Sequence, residues 1–358
     1  MNPSFWRNKR VFVTGHTGFK GSWLCLLLHA LGARVKGYAL EAPTQPNLFA
    51  LARVGELVES VINDVRDLDG LAACLATSEA DVVLHMAAQS VVLHSYDDPV
   101  DTYSSNVMGT VHVLEAIRRA GRPCVAVNVT TDKCYENKGW VWGYRETDTL
   151  GGRDPYSNSK ACAELVAQSY RDSFFPLARW PDHRVALASA RAGNVIGGGD
   201  WTPRQLIPET IAAFTQGRSV MLRHPDSVRP WQHVLDCLGG YLTLAEALAD
   251  DPRAHSGEWN FGPSDSDSFP VSRVVETLGA LWRIERPWVR DGAVHAPEEQ
   301  QLLLDVNKAA HLLGWRCRLP TDEALLWVAD WYRGHHEGRD ARSLCQEQIA
   351  RHVVLMAE

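Results

Sequence analysis

Val11-Phe12-Val13-Thr14-Gly15-His16-Thr17-Gly18-Phe19-Lys20-Gly21 is the stretch that decides the fold. It reads as a β-branched strand, a tight turn and the start of a helix. The glycines are spaced GxxGxxG. Gly15 permits the turn, Gly18 lets backbone approach a ligand, and Gly21 lets the helix pack against the strand. Free N–H groups and the dipole at a helix N-terminus favour a phosphate there. The alternative, a plain tight turn, does not explain three glycines between a strand and an amphipathic helix. The stretch therefore predicts dinucleotide binding.

Working outward, short apolar runs recur at Val11–Thr14, Val35–Tyr38, Leu57–Ile62, Val82–Met86, Val125–Val129 and Val185–Ser189. Helical patterns separate them at Phe19–Leu31, Leu68–Ala76, Asp101–Ala120 and Pro155–Phe174. Such alternation predicts an α/β fold, a doubly wound parallel sheet of Rossmann type. After Arg191 the pattern loosens into loops around Gly197–Asp200, Pro203, Pro208, Pro225 and Pro230. Helical patterns return at Ile207–Gln216, Val234–Leu248, Val271–Leu281, Val306–Leu313 and Glu323–Tyr332. The expected division is a dinucleotide-binding domain over residues 1–190, joined by about 232–262, and a smaller C-terminal substrate lobe from 191–231 and 263–358.

The 358 residues are 45% hydrophobic and 22% charged with a net charge of -7, a globular composition without the basic excess of a nucleic-acid binder. The 13 Trp residues suit sugar-binding walls or, more commonly, cores. Eight Cys form no CxxC pair and no Cys/His cluster of zinc spacing, so no metal site is expected. His335-His336 is adjacent rather than i,i+4 and reads as surface. Free thiols imply a reducing compartment. Met1–Arg10 holds no signal-like apolar run, and Trp23–Leu31 is too short to span a bilayer. A cytoplasmic enzyme with no nucleic-acid or membrane partner is expected.

Two further segments carry chemistry. Tyr156-Ser157-Asn158-Ser159-Lys160 puts Tyr and Lys on one helix face. An ammonium beside a phenol stabilises phenolate, which can take a proton from a substrate hydroxyl as hydride leaves. Thr130-Thr131-Asp132-Lys133-Cys134-Tyr135 follows the fifth strand, at the end where such sheets bind ligands. Asp132 could be only a turn-former and Lys133 only a solvated side chain. No Arg or Lys follows the second strand until Arg53, so nothing awaits a 2′-phosphate and NAD is favoured over NADP. Glu41 stands where an acid would hold the ribose. Asp64 is either an adenine ligand or a helix cap.

Gly15–Gly21, Leu84–Gln89, Asn106 and Tyr156–Lys160 together resemble the extended short-chain dehydrogenase/reductase family of NAD-dependent epimerases and dehydratases. Asn260-Phe261-Gly262-Pro263 fits its second half. Within that family, Thr14–Trp23, Thr131-Asp132-Lys133 and Gly198–Trp201 resemble the dehydratase group acting on CDP-glucose. The resemblance implies oxidation at carbon 4 of the hexose, loss of water across carbons 5 and 6, and hydride return to carbon 6. It implies Tyr156 as base for the oxidation, Lys160 as its tuner and a ribose ligand, and Thr131 as holder of the oxygen on carbon 4. Asp132 becomes the acid for the departing hydroxyl and Lys133 the base at carbon 5. A lysine base must be neutral, which asks for burial or neighbouring cations.

The resemblance also implies cofactor contacts at Gly15, Thr17, Gly18, Phe19, Lys20, Gly21, Asp64, Val65, Ala87, Ala88, Gln89, Asn106, Tyr156 and Lys160. Substrate contacts fall on Gln89, Ser90, Asn194, Arg204 and Arg229, the last as a diphosphate clamp. Members often carry an arginine near Leu93 and Asp-Arg where this chain has Arg204-Gln205. Another nucleotide-activated hexose, with dehydration or epimerisation, is the alternative; Asp132 argues against epimerisation. A homodimer paired through the 101–120 and 155–174 helices is expected, with a tetramer as the alternative. The implied setting is O-antigen and lipopolysaccharide sugar synthesis.

Overall fold

The computed structural model describes residues 1–264, 267–293 and 301–357. Its centre is a seven-stranded parallel sheet in the order β10-β6-β5-β4-β1-β2-β3. The strands are β1 (Arg10–Thr14), β2 (Arg34–Ala39), β3 (Glu59–Ile62), β4 (Val82–His85), β5 (Cys124–Val129), β6 (Val185–Ala192) and β10 (Gly257–Phe261). Helices α1 (Phe19–Ala30), α2 (Leu68–Ser78), α3 (Gly109–Ala120) and α4 (Pro155–Ser173) follow four of them. The sheet is covered on both faces, so its inner strands are apolar without alternation. Val11 and Val13 of β1 enter one core with Trp23 and Leu27 of α1. Phe12 between them enters the other, with Val113 and Ile117 of α3.

The strand order reverses between β1 and β4, and ligands of such sheets sit in the crevice at that reversal. The glycine turn leaves β1 there and Met86–Gln89 leaves β4 beside it. An added Cβ at Gly15 would lie 2.8 Å from Ala87 N, and Gly15 has φ +76°, the left-handed region that favours glycine.

Three features differ from the sequence expectation. The helix expected over 101–120 is interrupted by a π turn at Ser104–Met108, between Pro99–Tyr103 and α3. Its widened turn buries Asn106. Asp67, not Asp64, caps α2, accepting from Gly70 N at 3.1 Å. His335 is not simply surface: its ring lies 5.7 Å from Trp201 and 5.3 Å from Trp331.

Beyond β6 the chain makes β7 (Asn194–Ile196), α5 (Leu206–Phe214), β8 (Val220–Leu222), β9 (Val228–His233) and α6 (Val234–Asp250). After β10 come β11 (Ser268–Pro270), α7 (Val271–Trp282), β12 (Trp288–Arg290), α8 (Asn307–Leu312), α9 (Thr321–His336) and α10 (Ala341–Ala357). Strands β11, β9 and β7 form a small mixed sheet, and β12 pairs with β8. Helix α6 packs on β5 and β6 beside α1, so residues after the loops return to the main sheet. Helix α10 docks there too: His352 Nε2 lies 2.9 Å from buried Asp236 Oδ1 of α6. No helix among the described residues is long and apolar enough to cross a membrane.

Candidate active site

The glycine turn, Ala87–Gln89, Thr131–Lys133 and Asn194 follow the carboxyl ends of β1, β4, β5 and β6, while Asp64 and Val65 follow β3, Arg204 lies in a loop and Arg229 on β9. In the glycine turn, a Cβ at Gly21 would fall 2.0 Å from Gly15 O, while one at Gly18 would meet only Gly15 O, at 3.5 Å. Gly21 is thus the packing glycine and Gly18 the open one. No side chain caps α1, so its first N–H groups are left for a ligand. Thr17 Oγ1 donates to Leu40 O at 2.7 Å and Lys20 Nζ to Tyr241 OH at 3.0 Å. His16 packs under the turn, with its pKa lowered to about 4 by burial. This cradle fits a dinucleotide diphosphate.

The rest of the expected cofactor set is placed less directly. Asn106 Oδ1 accepts from Gln89 N at 2.8 Å, and Asn106 Nδ2 donates to Gln89 O at 3.0 Å and Ser159 Oγ at 2.9 Å. It therefore locks the Ala87-Ala88-Gln89 loop to α4. Both Asp64 carboxylate oxygens are engaged by Arg66, which holds Asp64 below the usual carboxylate range. Val65 O lies 3.0 Å from His112 Nδ1, and Glu41 is exposed.

Tyr156 and Lys160 are both buried on α4. Burial pushes the phenol pKa up, partly opposed by hydrogen bonding with Thr131. Burial and then Lys20 lower the Lys160 pKa to about 8. Lys160 Nζ donates to Val129 O at 3.2 Å.

Thr131 caps a single 3₁₀ turn over Asp132–Cys134. Its Oγ1 donates to Asp132 Oδ1 at 2.9 Å. Asp132 is fully buried, and its Oδ2 has no hydrogen-bond partner. An unpaired buried carboxyl oxygen is costly, and this one is left free for a group the fold itself does not supply. Lys133 Nζ stands 4.0 Å from Asp132 Oδ1 with its side chain 31% exposed. The burial that a neutral lysine base requires is therefore only partial.

Of the expected substrate residues, Asn194 has a buried Oδ1 without a partner. Arg229 is buried on β9, donating to Val228 O at 2.9 Å. Ser90 is exposed. Arg204 is exposed and pairs with Asp97 at 3.0 Å. Among the described residues no group of three or more His, Cys, Asp or Glu could hold a metal ion.

Sequence reading missed a buried network behind this set. Glu164 accepts from Thr130 Oγ1 and, at 2.8 Å, from Arg191 Nη2. Arg191 Nη1 donates to Tyr135 OH at 2.8 Å, and Tyr135 OH to Asn260 Oδ1 at 2.7 Å. The sequence signal was the charge of Arg191 inside the otherwise apolar run of β6.

A doubly wound sheet with a glycine cradle at its reversal, and a Tyr–Lys pair facing a Thr-Asp-Lys turn, defines an extended short-chain dehydrogenase/reductase. The chain belongs to the GDP-mannose 4,6 dehydratase family, whose sequence profile matches residues 12–326. It is 49% identical over 350 residues to a CDP-glucose 4,6-dehydratase of Salmonella typhimurium, covering 98% of each chain. It is 30% identical over 336 residues to a dTDP-glucose 4,6-dehydratase of Streptomyces antibioticus, covering 90% of this chain and 92% of that one. The crystal structure of a dTDP-glucose 4,6-dehydratase from Streptomyces venezuelae with NAD bound superimposes with TM-score 0.76 at 25% identity, covering 93% and 99% of the two chains.

Proposed function

We propose that this chain converts CDP-D-glucose to CDP-4-dehydro-6-deoxy-D-glucose with NAD as a regenerated cofactor. The observation that carries the reading is Asp132: a buried carboxyl group with one oxygen held by Thr131 and the other unpartnered, beside Tyr156. Near-identity in length and 49% identity to a CDP-glucose 4,6-dehydratase support the choice of nucleotide. When bound, NAD supplies the hydride acceptor for carbon 4 and the hydride donor for carbon 6. Gly15, Gly18, Gly21 and the free start of α1 would hold its diphosphate, and Lys160 its ribose.

The chain's own residues do the proton work. Tyr156 accepts the proton of the hydroxyl on carbon 4 while Thr131 steadies that oxygen. Oxidation makes the proton on carbon 5 acidic. Lys133 takes it, and gives a proton back to carbon 5 when hydride returns to carbon 6. Asp132 delivers a proton to the hydroxyl leaving carbon 6, so one water departs. Asn194 and Arg229 hold the diphosphate; Gln89, Ser90 and Arg204 border the sugar and nucleotide.

The homodimer belongs to this proposal. Tyr103, Met108, Leu165 and Phe174 are 36%, 46%, 53% and 44% exposed, large apolar side chains left open on the segments expected to pair. Eight free cysteines support a reducing, cytoplasmic setting. The product suits synthesis of deoxygenated surface-polysaccharide sugars.

The test is incubation with CDP-glucose, with and without added NAD, followed by mass spectrometry. Loss of one water without net nicotinamide reduction is expected. Turnover only of dTDP-, GDP- or UDP-hexoses would overturn the nucleotide. No turnover of any of them would overturn the activity.

A further inference from the structure

The Thr131-Asp132-Lys133 turn is tied down at both ends, and both ties lead to one ion pair. Thr130, immediately before it, donates its hydroxyl to Glu164. Tyr135, just after it, takes Arg191 Nη1 at 2.8 Å. Glu164 and Arg191 meet at 2.8 Å with side chains 1% and 2% exposed. The Arg191 guanidinium also lies 5.0 Å from the Tyr135 ring centroid, and its Nη1 reaches Glu146 O at 3.1 Å. Tyr135 passes the constraint on to Asn260 Oδ1 at 2.7 Å, and Asn260 Nδ2 grips Tyr144 O at 2.8 Å.

The same pair reaches the other side of Asp132. Arg191 lies near the end of β6, two residues before Gly193. A Cβ at Gly193 would lie 3.1 Å from Asp132 Oδ2 and 2.7 Å from Pro230 Cγ. Glu164 stands one helical turn past Lys160 and two past Tyr156. One buried pair therefore fixes the turn bearing the acid against the helix bearing the oxidation pair.

A buried ion pair is a poor source of net stability, since desolvation offsets its attraction. Its presence here calls for a positional explanation. We propose that Glu164 and Arg191 are positioning residues for the elimination step, holding Asp132 through Thr130 and Tyr135. Oxidation at carbon 4 rests chiefly on Tyr156, which its own helix holds without these hydroxyls, and is less sensitive to them. This rests on the dehydratase reading above.

The test separates the two half-reactions. Thr130→Val and Tyr135→Phe each remove one hydroxyl from the clamp and leave the ion pair intact. CDP-6-deoxyglucose has no leaving group on carbon 6, so it reports oxidation alone as nicotinamide reduction. CDP-glucose in a single turnover reports elimination. Both variants should oxidise CDP-6-deoxyglucose within about twofold of the unaltered protein, while elimination falls about 10- to 100-fold. The reduced nicotinamide should then build up transiently with CDP-glucose. CDP-glucose affinity by calorimetry should be unchanged, and Thr130→Ser should restore the rate. Equal loss in both half-reactions, or no loss in either with thermal stability retained, would overturn the clamp. An unaltered protein that eliminates water from no nucleotide hexose would overturn the dehydratase reading first.

Discussion

The two halves of the site are built by different means. The cradle at Gly15–Gly21 is shaped by what is missing: a methyl group at Gly21 would sit 2.0 Å from a carbonyl oxygen six residues earlier. The turn at Thr130–Tyr135 is shaped by what is present. Its tethers reach partners 34, 56 and 125 residues away. A steric cradle is encoded locally and tolerates only glycine. A polar clamp is encoded across the chain, and each member can be weakened by one atom.

The comparison can be broken first at the acid. Asp132→Asn keeps the size of the side chain and its acceptor toward Thr131 but has no proton to give. It should lower kcat for dehydration by about 10²- to 10⁴-fold while NAD affinity stays unchanged. Steady-state kinetics with cofactor titration checks both. A dehydration rate near that of the unaltered protein would remove Asp132 from the mechanism.

The cradle should fail differently. Gly21→Ala forces apart the turn and α1, with an expected loss of about 1–3 kcal/mol in stability, as for other overpacked sites, and weakened NAD binding. Thermal unfolding with and without NAD measures it. Unaltered NAD stabilisation would show that the close approach at Gly21 does not shape the cradle.

The smallest effect sharpens the boundary between the halves. Burial lowers the Lys160 pKa to about 8, below its value of about 10.4 in an unfolded chain. Between those values the unfolded chain binds more protons, so this lysine's contribution to stability rises with pH there. Below pH 8 the ammonium is charged in both states and its burial opposes folding. The melting temperature of the cofactor-free protein minus that of Lys160→Met should therefore rise from pH 7 to pH 10. A flat difference would mean that Lys160 is not desolvated.

Legibility followed the same division. The glycine turn, the Tyr156–Lys160 spacing and the Thr-Asp-Lys turn lie within a few residues each, so the sequence displays them whole. The inner strands β1, β4, β5 and β6 showed because both sheet faces are buried there and their apolar runs are nearly unbroken, whereas β3 is mostly exposed and showed only as a short β-branched run. The Glu164–Arg191 clamp did not show, since its members are 27 residues apart and nothing local marks them as partners. The π turn at Asn106 leaves no trace in apolar periodicity. Strands β7, β8, β11 and β12 have three residues each, too short for a period-2 signal. Helix α10 escaped because its apolar residues scatter around the helix, and its docking is settled by His352 on Asp236, 116 residues away.

One feature of the main sheet bears on how the protein can be handled. Strand β10 lies parallel on β6, with Gly257–Phe261 against Ala188–Ala192, and all eight residues of β6 are buried. A fragment ending after Ala192 would hold the whole cradle and the Tyr–Lys pair. It would also bare the Ala188–Ala192 edge of β6, five residues that are all buried in the whole protein, a template for pairing with other copies. Attempts to make the cofactor half alone should therefore produce aggregates. The strand that closes this edge begins 65 residues after Ala192, so during synthesis the edge stays open until that stretch has been made.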